Sequence, residues 1–129
     1  GNSGVEPRLA VMYQEMVTAR GYSLSQYVDL VSSNAAKIMG LYPRKGAIAP
    51  GSDADITLLD PEEARVVRNE DLHESDYTPW EGKQVSAWPV LTILRGKIVV
   101  ENGNFFAEEA DGQYLSRRIS EDVLGGTAL

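Results

Sequence analysis

The sequence contains no cysteine, which removes disulfide staples, thiolate zinc sites and thiol nucleophiles together. It contains a single histidine, His73, so any chemistry that passes a proton through imidazole has one candidate group. No run of about 18 apolar residues is present to span a bilayer, and the first residues lack the basic, then apolar, profile of a signal peptide. Positive charge is also short. Twelve Lys and Arg face nineteen Asp and Glu, for a net charge of −7, and that field repels phosphate backbones and anionic lipid headgroups. Nucleic acid and membranes are therefore poor partners, and the expected location is cytoplasmic.

The residues that are present suit one ordinary globular domain. The chain has 129 residues, 43% of them hydrophobic and 24% charged, enough apolar material for a single core without the charge excess of a disordered chain. It begins with Gly1 rather than Met, and the expectation is a processed protein or a piece of a longer polypeptide.

Along the chain the hydrophobic period changes from helical to alternating. Val5, Leu9, Met12, Tyr13 and Met16 recur at spacings of three and four, which predicts an amphipathic helix over about Glu6–Arg20 with that stripe inward, stopped at Gly21. Ser23 and Gln26 have the spacing of a capping box for a second helix carrying Leu24, Tyr27, Val28 and Val31. The Ser32, Ser33, Asn34 cluster can break or restart it before Ala35–Met39, and Gly40 closes it. Leu41–Gly51 reads as a turn-rich loop. A strand is predicted at Ala54–Asp60, and another at Ala64–Val67. Arg68–Gln84 reads as a long irregular loop. Val90–Leu94 and Lys97–Val100 form a tight hairpin about Arg95 and Gly96, a poor sequence for the turn that leaves a bulged one open. Its two faces are both apolar, so both want cover. Asn102–Asn104 is a turn into a short strand at Phe105 and Phe106, and Gly125 and Gly126 suggest a frayed end.

Candidate chemistry is sparse. Asp71, His73, Ser75 and Asp76 crowd triad residue types into one short string, which is the mark of a structural loop rather than of a cleft. One His and no Cys make a self-contained transition-metal site improbable. Asp53 with Asp55, and Glu62 with Glu63, are carboxylate pairs able in principle to split acid and base roles, and read here as solvated turn or edge charges. Arg44 and Lys45 can meet an anion or form a solvated face. Tyr77, Trp80 and Trp88 can line a ligand groove or pin a loop onto a core or partner; the neighbouring prolines favour pinning.

The wording of several segments is more informative. Asn34-Ala-Ala-Lys-Ile-Met-Gly-Leu-Tyr-Pro-Arg-Lys-Gly46, Gly51-Ser-Asp-Ala-Asp-Ile-Thr-Leu-Leu-Asp60, Asp76-Tyr-Thr-Pro-Trp-Glu-Gly82 and Trp88-Pro-Val-Leu-Thr-Ile-Leu-Arg-Gly-Lys-Ile-Val-Val-Glu-Asn-Gly103 resemble, in order and spacing, the C-terminal region of the cyclic-amide hydrolases. These are the D-hydantoinases and dihydropyrimidinases of the amidohydrolase superfamily. Gly4-Val-Glu-Pro-Arg-Leu9 resembles the segment after the last barrel strand.

The resemblance implies a mixed α and β fragment of a larger fold. Residues 1–50 would be the closing helices of a TIM-like (β/α)8 barrel, 51–108 the strands and loop of a small β-sandwich, and 109–129 a C-terminal tail. It also implies a full enzyme with two divalent metals, usually zinc, bridged by a carboxylated lysine and held by four histidines and an aspartate that precede Gly1. A metal-bridging hydroxide would open the ring amide. No catalytic or metal residue carries over to this chain, and no cofactor is expected within it. One substrate contact lies at its start, the backbone of an Asn in a Pro-Asn-Gly-type loop, for which Asn2 is the stand-in. The implied partners are the remainder of the polypeptide, further copies in a homo-oligomer, and a small cyclic amide. A different class is also open: a non-catalytic dihydropyrimidinase-related assembly protein. A third is an independent small binding module.

Overall fold

The computed structural model describes residues 3–106 and 112–126. Helices come first and strands second, as the change of period predicts. The chain falls into two compact units rather than the single domain that its length suggests. One holds the chain through Tyr27 together with Leu58–Val90; the other holds Val28–Thr57 and the chain from Leu91 onward.

The first unit begins with helix α1 (Arg8–Tyr13), which runs directly into a wide π turn at Gln14–Thr18. Pro7 precedes α1 and suits a position whose N–H would have no partner. Gly21 stops the helix in the left-handed conformation, φ +70°, where an L side chain would be strained. The inward stripe differs from the expected one. Ala10, Val11 and Met16 are buried, whereas Leu9, Met12 and Tyr13 are half-buried and Val5 is 68% exposed. The small Ala10 side chain lets α1 approach a short antiparallel pair, β2 (Arg65–Val66) and β3 (Gln84–Val85). Ala10, Val11, Val67 and Val85 form the core cluster, with Leu72, Trp80 and Trp88 packed against it.

Helix α2 (Leu24–Val28) opens on the expected capping box. The Gln26 N–H donates to Ser23 Oγ at 3.2 Å, and the Ser23 N–H donates to Gln26 Oε1 at 2.9 Å. Buried Tyr27 donates its hydroxyl to the Leu9 carbonyl at 2.9 Å, and burial pushes its pKa up to about 12.

In the second unit the Ser32–Asn34 cluster does not break the helix. Asp29–Ser33 forms another π turn and passes into α3 (Asn34–Ile38), because Ser33 bonds the Gly46 carbonyl at 3.1 Å instead of competing with its own helix. Gly40 closes α3 at φ +70°. No helix or strand occupies the loop through Gly51, and the Tyr42–Pro43 peptide is cis.

Strand β1 (Ile56–Asp60) starts two residues later than predicted, since Asp55 is engaged by Lys45 and by the N–H of Arg95. β4 (Trp88–Leu94) and β5 (Lys97–Glu101) form the predicted hairpin. Arg95 (φ 48°) and Gly96 (φ 80°) are both left-handed, the pattern of a tight type I′ connection, and the bulge lies between Thr92 and Ile93 instead of in the turn. The Arg95 N–H donates to Asp55 Oδ1 at 2.8 Å and the Gly96 N–H to the Ala54 carbonyl at 3.0 Å, which holds the arginine in that conformation. Asn102-Gly103 makes a second such turn into β6 (Asn104–Phe105), one residue ahead of the predicted strand. The sheet order is β1-β4-β5-β6.

A short helix, α4 (Glu121–Gly125), started by extended Ser120 with Glu121 and Asp122 in its first turn, precedes the expected frayed end, whose last three residues lie outside the described ones.

Candidate functional site

Where Ser3–Glu6 leads into α1, four residues of irregular backbone carry N–H groups that no helix or strand satisfies. One side chain meets three of them. Glu74 accepts the Gly4 N–H at 2.6 Å through Oε1, and the Val5 and Glu6 N–H groups at 3.0 and 3.3 Å through Oε2. The Ser3 hydroxyl donates to the Tyr77 carbonyl at 2.7 Å. In the opposite direction, the Glu6 carboxylate accepts the His73 N–H at 2.7 Å and meets His73 Nδ1 at 2.9 Å. Partial burial alone would raise the Glu74 pKa, but the backbone donors outweigh it and hold the carboxyl below its usual range.

His73 is therefore a tether and not a member of a triad. Its side chain is 78% exposed. Ser75 is turned away into its own loop, donating to the Tyr77 carbonyl at 2.7 Å and accepting the Tyr77 N–H at 3.2 Å. Glu6 raises the His73 pKa, first through the hydrogen bond and then through its charge. A raised folded-state value means that the ion pair contributes stability below the ordinary histidine pKa and loses it as pH rises through the shifted one. The expected result is an NMR titration midpoint for His73 above that of a free histidine, returning toward it in Glu6→Gln. An unchanged midpoint in the variant would rule out Glu6 as the cause.

The other charged cluster lies in the Val28–Thr57 segment. Asp53 and Asp55, expected as solvated charges, are instead paired with Arg44 and Lys45. Arg44 Nε donates to Asp53 at 3.0 Å, while Lys45 Nζ lies 2.9 Å from Asp53 and also meets Asp55. The Lys45 hydrogen bond lowers the Asp53 pKa. For Asp55, partial burial pushes upward, and Lys45 with the Arg95 N–H more than reverses it. These carboxylates are committed to closing a loop and cannot serve as a separated acid and base. Glu63 pairs with Arg65 at 3.2 Å on the surface, in keeping with an exposed turn.

Trp80 and Trp88 pack on the core cluster, and Arg65 lies 5.1 Å over the Trp88 ring, so both pin structure, whereas Tyr77 is largely exposed. Asn2, the expected substrate contact, lies outside the described residues. The sequence pattern does not single out Glu74; an acid one position from the only histidine is its sole local sign. Among the described residues, no three His, Asp or Glu side chains stand together to hold a metal ion.

The model of the amidohydrolase family matches residues 2–99. A D-hydantoinase from Ralstonia pickettii is 44% identical over 119 residues, 92% of this chain and 26% of that protein. The dihydropyrimidinase-related protein 5 of Mus musculus is 37% identical over 125 residues, 96% of this chain and 22% of that protein. Among solved structures, a D-hydantoinase (dihydropyrimidinase) from Thermus sp. superimposes with a TM-score of 0.86 at 35% identity, covering 92% of this chain and 26% of the other. The chain spans about a quarter of the length of the curated relatives it matches.

Proposed function

Since this chain belongs to the amidohydrolase family, we propose that it is the C-terminal part of a hydrolase that opens cyclic amides of the hydantoin or dihydropyrimidine type, and that it is structural and inactive alone. The observation that carries this reading is the 44% identity to a D-hydantoinase across 92% of the chain, on about a quarter of that enzyme's length. The site chemistry agrees with it. The polar side chains of the two clusters are engaged in binding this chain to itself. In this reading, residues 1–50 close the barrel, 51–108 supply sandwich strands and 109–129 form the tail. Asn2 stands at the substrate, the rest of the polypeptide carries two divalent metals, and the whole is a cytoplasmic homo-oligomer. No helix among the described residues is long and apolar enough to cross a membrane.

The chain expressed alone is expected to hydrolyse neither dihydrouracil nor hydantoin with added zinc. Metal-dependent turnover by the purified chain would overturn the structural role. A second reading, a non-catalytic dihydropyrimidinase-related assembly protein, is favoured by the 37% likeness over 96% of the chain. The coding sequence upstream separates the two, because the enzyme requires a His-x-His pair and a bridging lysine there and the assembly protein does not.

A further inference from the structure

We propose that residues 68–82 form a strap with an acid-released clasp: backbone bonds shut its base, while its tip stays on residues 3–6 only as long as Glu74 is ionised.

The two ends of this stretch are closed on each other. The Val67 N–H donates to the Lys83 carbonyl and the Gly82 N–H to the Val67 carbonyl, both at 2.8 Å. Just inside, the Asn69 N–H donates to the Glu81 carboxylate at 2.7 Å, and Leu72 and Trp80 pack on the core cluster. The base thus uses one carboxylate, but its two backbone bonds involve no titrating group. A long segment with joined ends is an Ω-loop, and such units open locally while the elements they link stay folded.

The tip is held differently. Glu74 takes the N–H groups of Gly4, Val5 and Glu6, and Glu6 takes the N–H of His73 and meets its ring. One neutral bond, from the Ser3 hydroxyl to the Tyr77 carbonyl, joins them. Gly4 at φ +118° lets three successive N–H groups face a single carboxylate, and the Trp80 indole Nε1 lies 3.0 Å from where its Cβ would stand. Besides those N–H groups Glu74 faces the Ser3 hydroxyl at 3.5 Å, and His73 faces Glu6.

On taking up a proton, Glu74 loses its charge and one acceptor together, and the surrounding N–H groups cannot accept its new O–H. Its contribution is full above the usual carboxylate range and lost as pH falls through its lowered value. His73, raised by Glu6, adds its ion pair only below the shifted histidine value. The clasp is therefore tightest between the two, in mildly acid solution. It opens most fully on the acid side, where three bonds weaken at once.

Hydrogen–deuterium exchange of the protein expressed from its whole coding sequence, read by mass spectrometry and corrected for the intrinsic rate at each pH, tests the clasp. Between about pH 6 and about pH 3, either side of the carboxylate range, protection in peptides covering residues 3–6 and 73–77 is expected to fall by about tenfold or more, as for the loss of charged hydrogen bonds. Protection at Val67, Gly82 and Lys83 should stay within about twofold. Glu74→Gln should give the low value at residues 3–6 already at about pH 6 and remove most of its dependence on pH.

Tip protection that does not change with pH, or that changes alike at residues 3–6 in Glu74→Gln, overturns the clasp. Loss at the base together with the tip overturns the strap, since release is then part of general unfolding. If Glu74→Gln does not fold, the wild-type comparison of tip with base decides alone. The readout involves no hydrolysis and is independent of the proposed function.

Discussion

Gly46→Ala is expected to destabilise the protein by about 3 kcal/mol, from the combined cost of a left-handed alanine and an overpacked contact. Gly46 has φ +77°. A Cβ there would stand 2.6 Å from the Ala36 Cβ and 3.2 Å from the Ser33 Cα. Neither neighbour can yield cheaply, because both lie in the helical run Asp29–Ile38 and Ala36 is buried. The Ser33 hydroxyl bonded to the Gly46 carbonyl fixes the approach from the other side. Gly51→Ala is the internal control. Gly51 is also left-handed, φ +92°, but nothing lies within 4 Å of its Cβ position, so it should lose only about 1 kcal/mol. Denaturant unfolding of both variants checks the difference. Equal losses would mean that close packing at Gly46 is not what requires a glycine.

Val67→Asp should cost more, about 4 kcal/mol, because it leaves an unpaired charge in the core cluster. Val67 is 2% exposed and packs with Ala10, Val11 and Val85. Its backbone is secured independently, donating to the Lys83 carbonyl at 2.8 Å and accepting the Gly82 N–H at 2.8 Å. The substitution therefore tests the side chain and leaves the ladder in place. A fall in Tm of about ten degrees or more is expected for a protein of this size. Burial raises the folded-state pKa of the new carboxyl, so the deficit relative to wild type should shrink as pH falls and the group becomes neutral. A deficit independent of pH would trace the loss to volume or shape instead of charge.

Legibility in the sequence tracks the range of the interaction. The Ser23–Gln26 box, the Gly21 and Gly40 helix ends and the Arg95-Gly96 hairpin are decided within a few residues, and each is where the pattern places it. The buried stripe of α1 departs from the pattern because the period identifies an apolar face but not which part of it another element covers; Ala10 is buried for its smallness, which hydrophobicity does not rank. β3 escapes the pattern because Gln84–Val85 is two residues long and exists through its pairing with Arg65–Val66, about twenty positions earlier. The carboxylates show the same limit. Asp53 and Asp55 read as solvated, yet Arg44 and Lys45 lie close by in the chain, and only the fold of the intervening loop brings them into contact. Glu74 is illegible for the same reason, since its partners are the first residues of the chain.

The two π turns carry a consequence for how such chains vary in length. One residue inserted into an α-helix is absorbed locally as a single wide turn. The bonds from Ala19 to Gln14 and from Asn34 to Asp29 span one residue more than the α pattern. Deleting one residue within Asp29–Ser33 would restore regular bonding with the flanking stretches of helix still in phase, whereas one residue added to a regular helix turns the face beyond it by about 100°. A chain of this kind can thus take up an extra residue inside the helix at Asp29–Ser33, or at the end of one at Gln14–Thr18, without turning its buried faces.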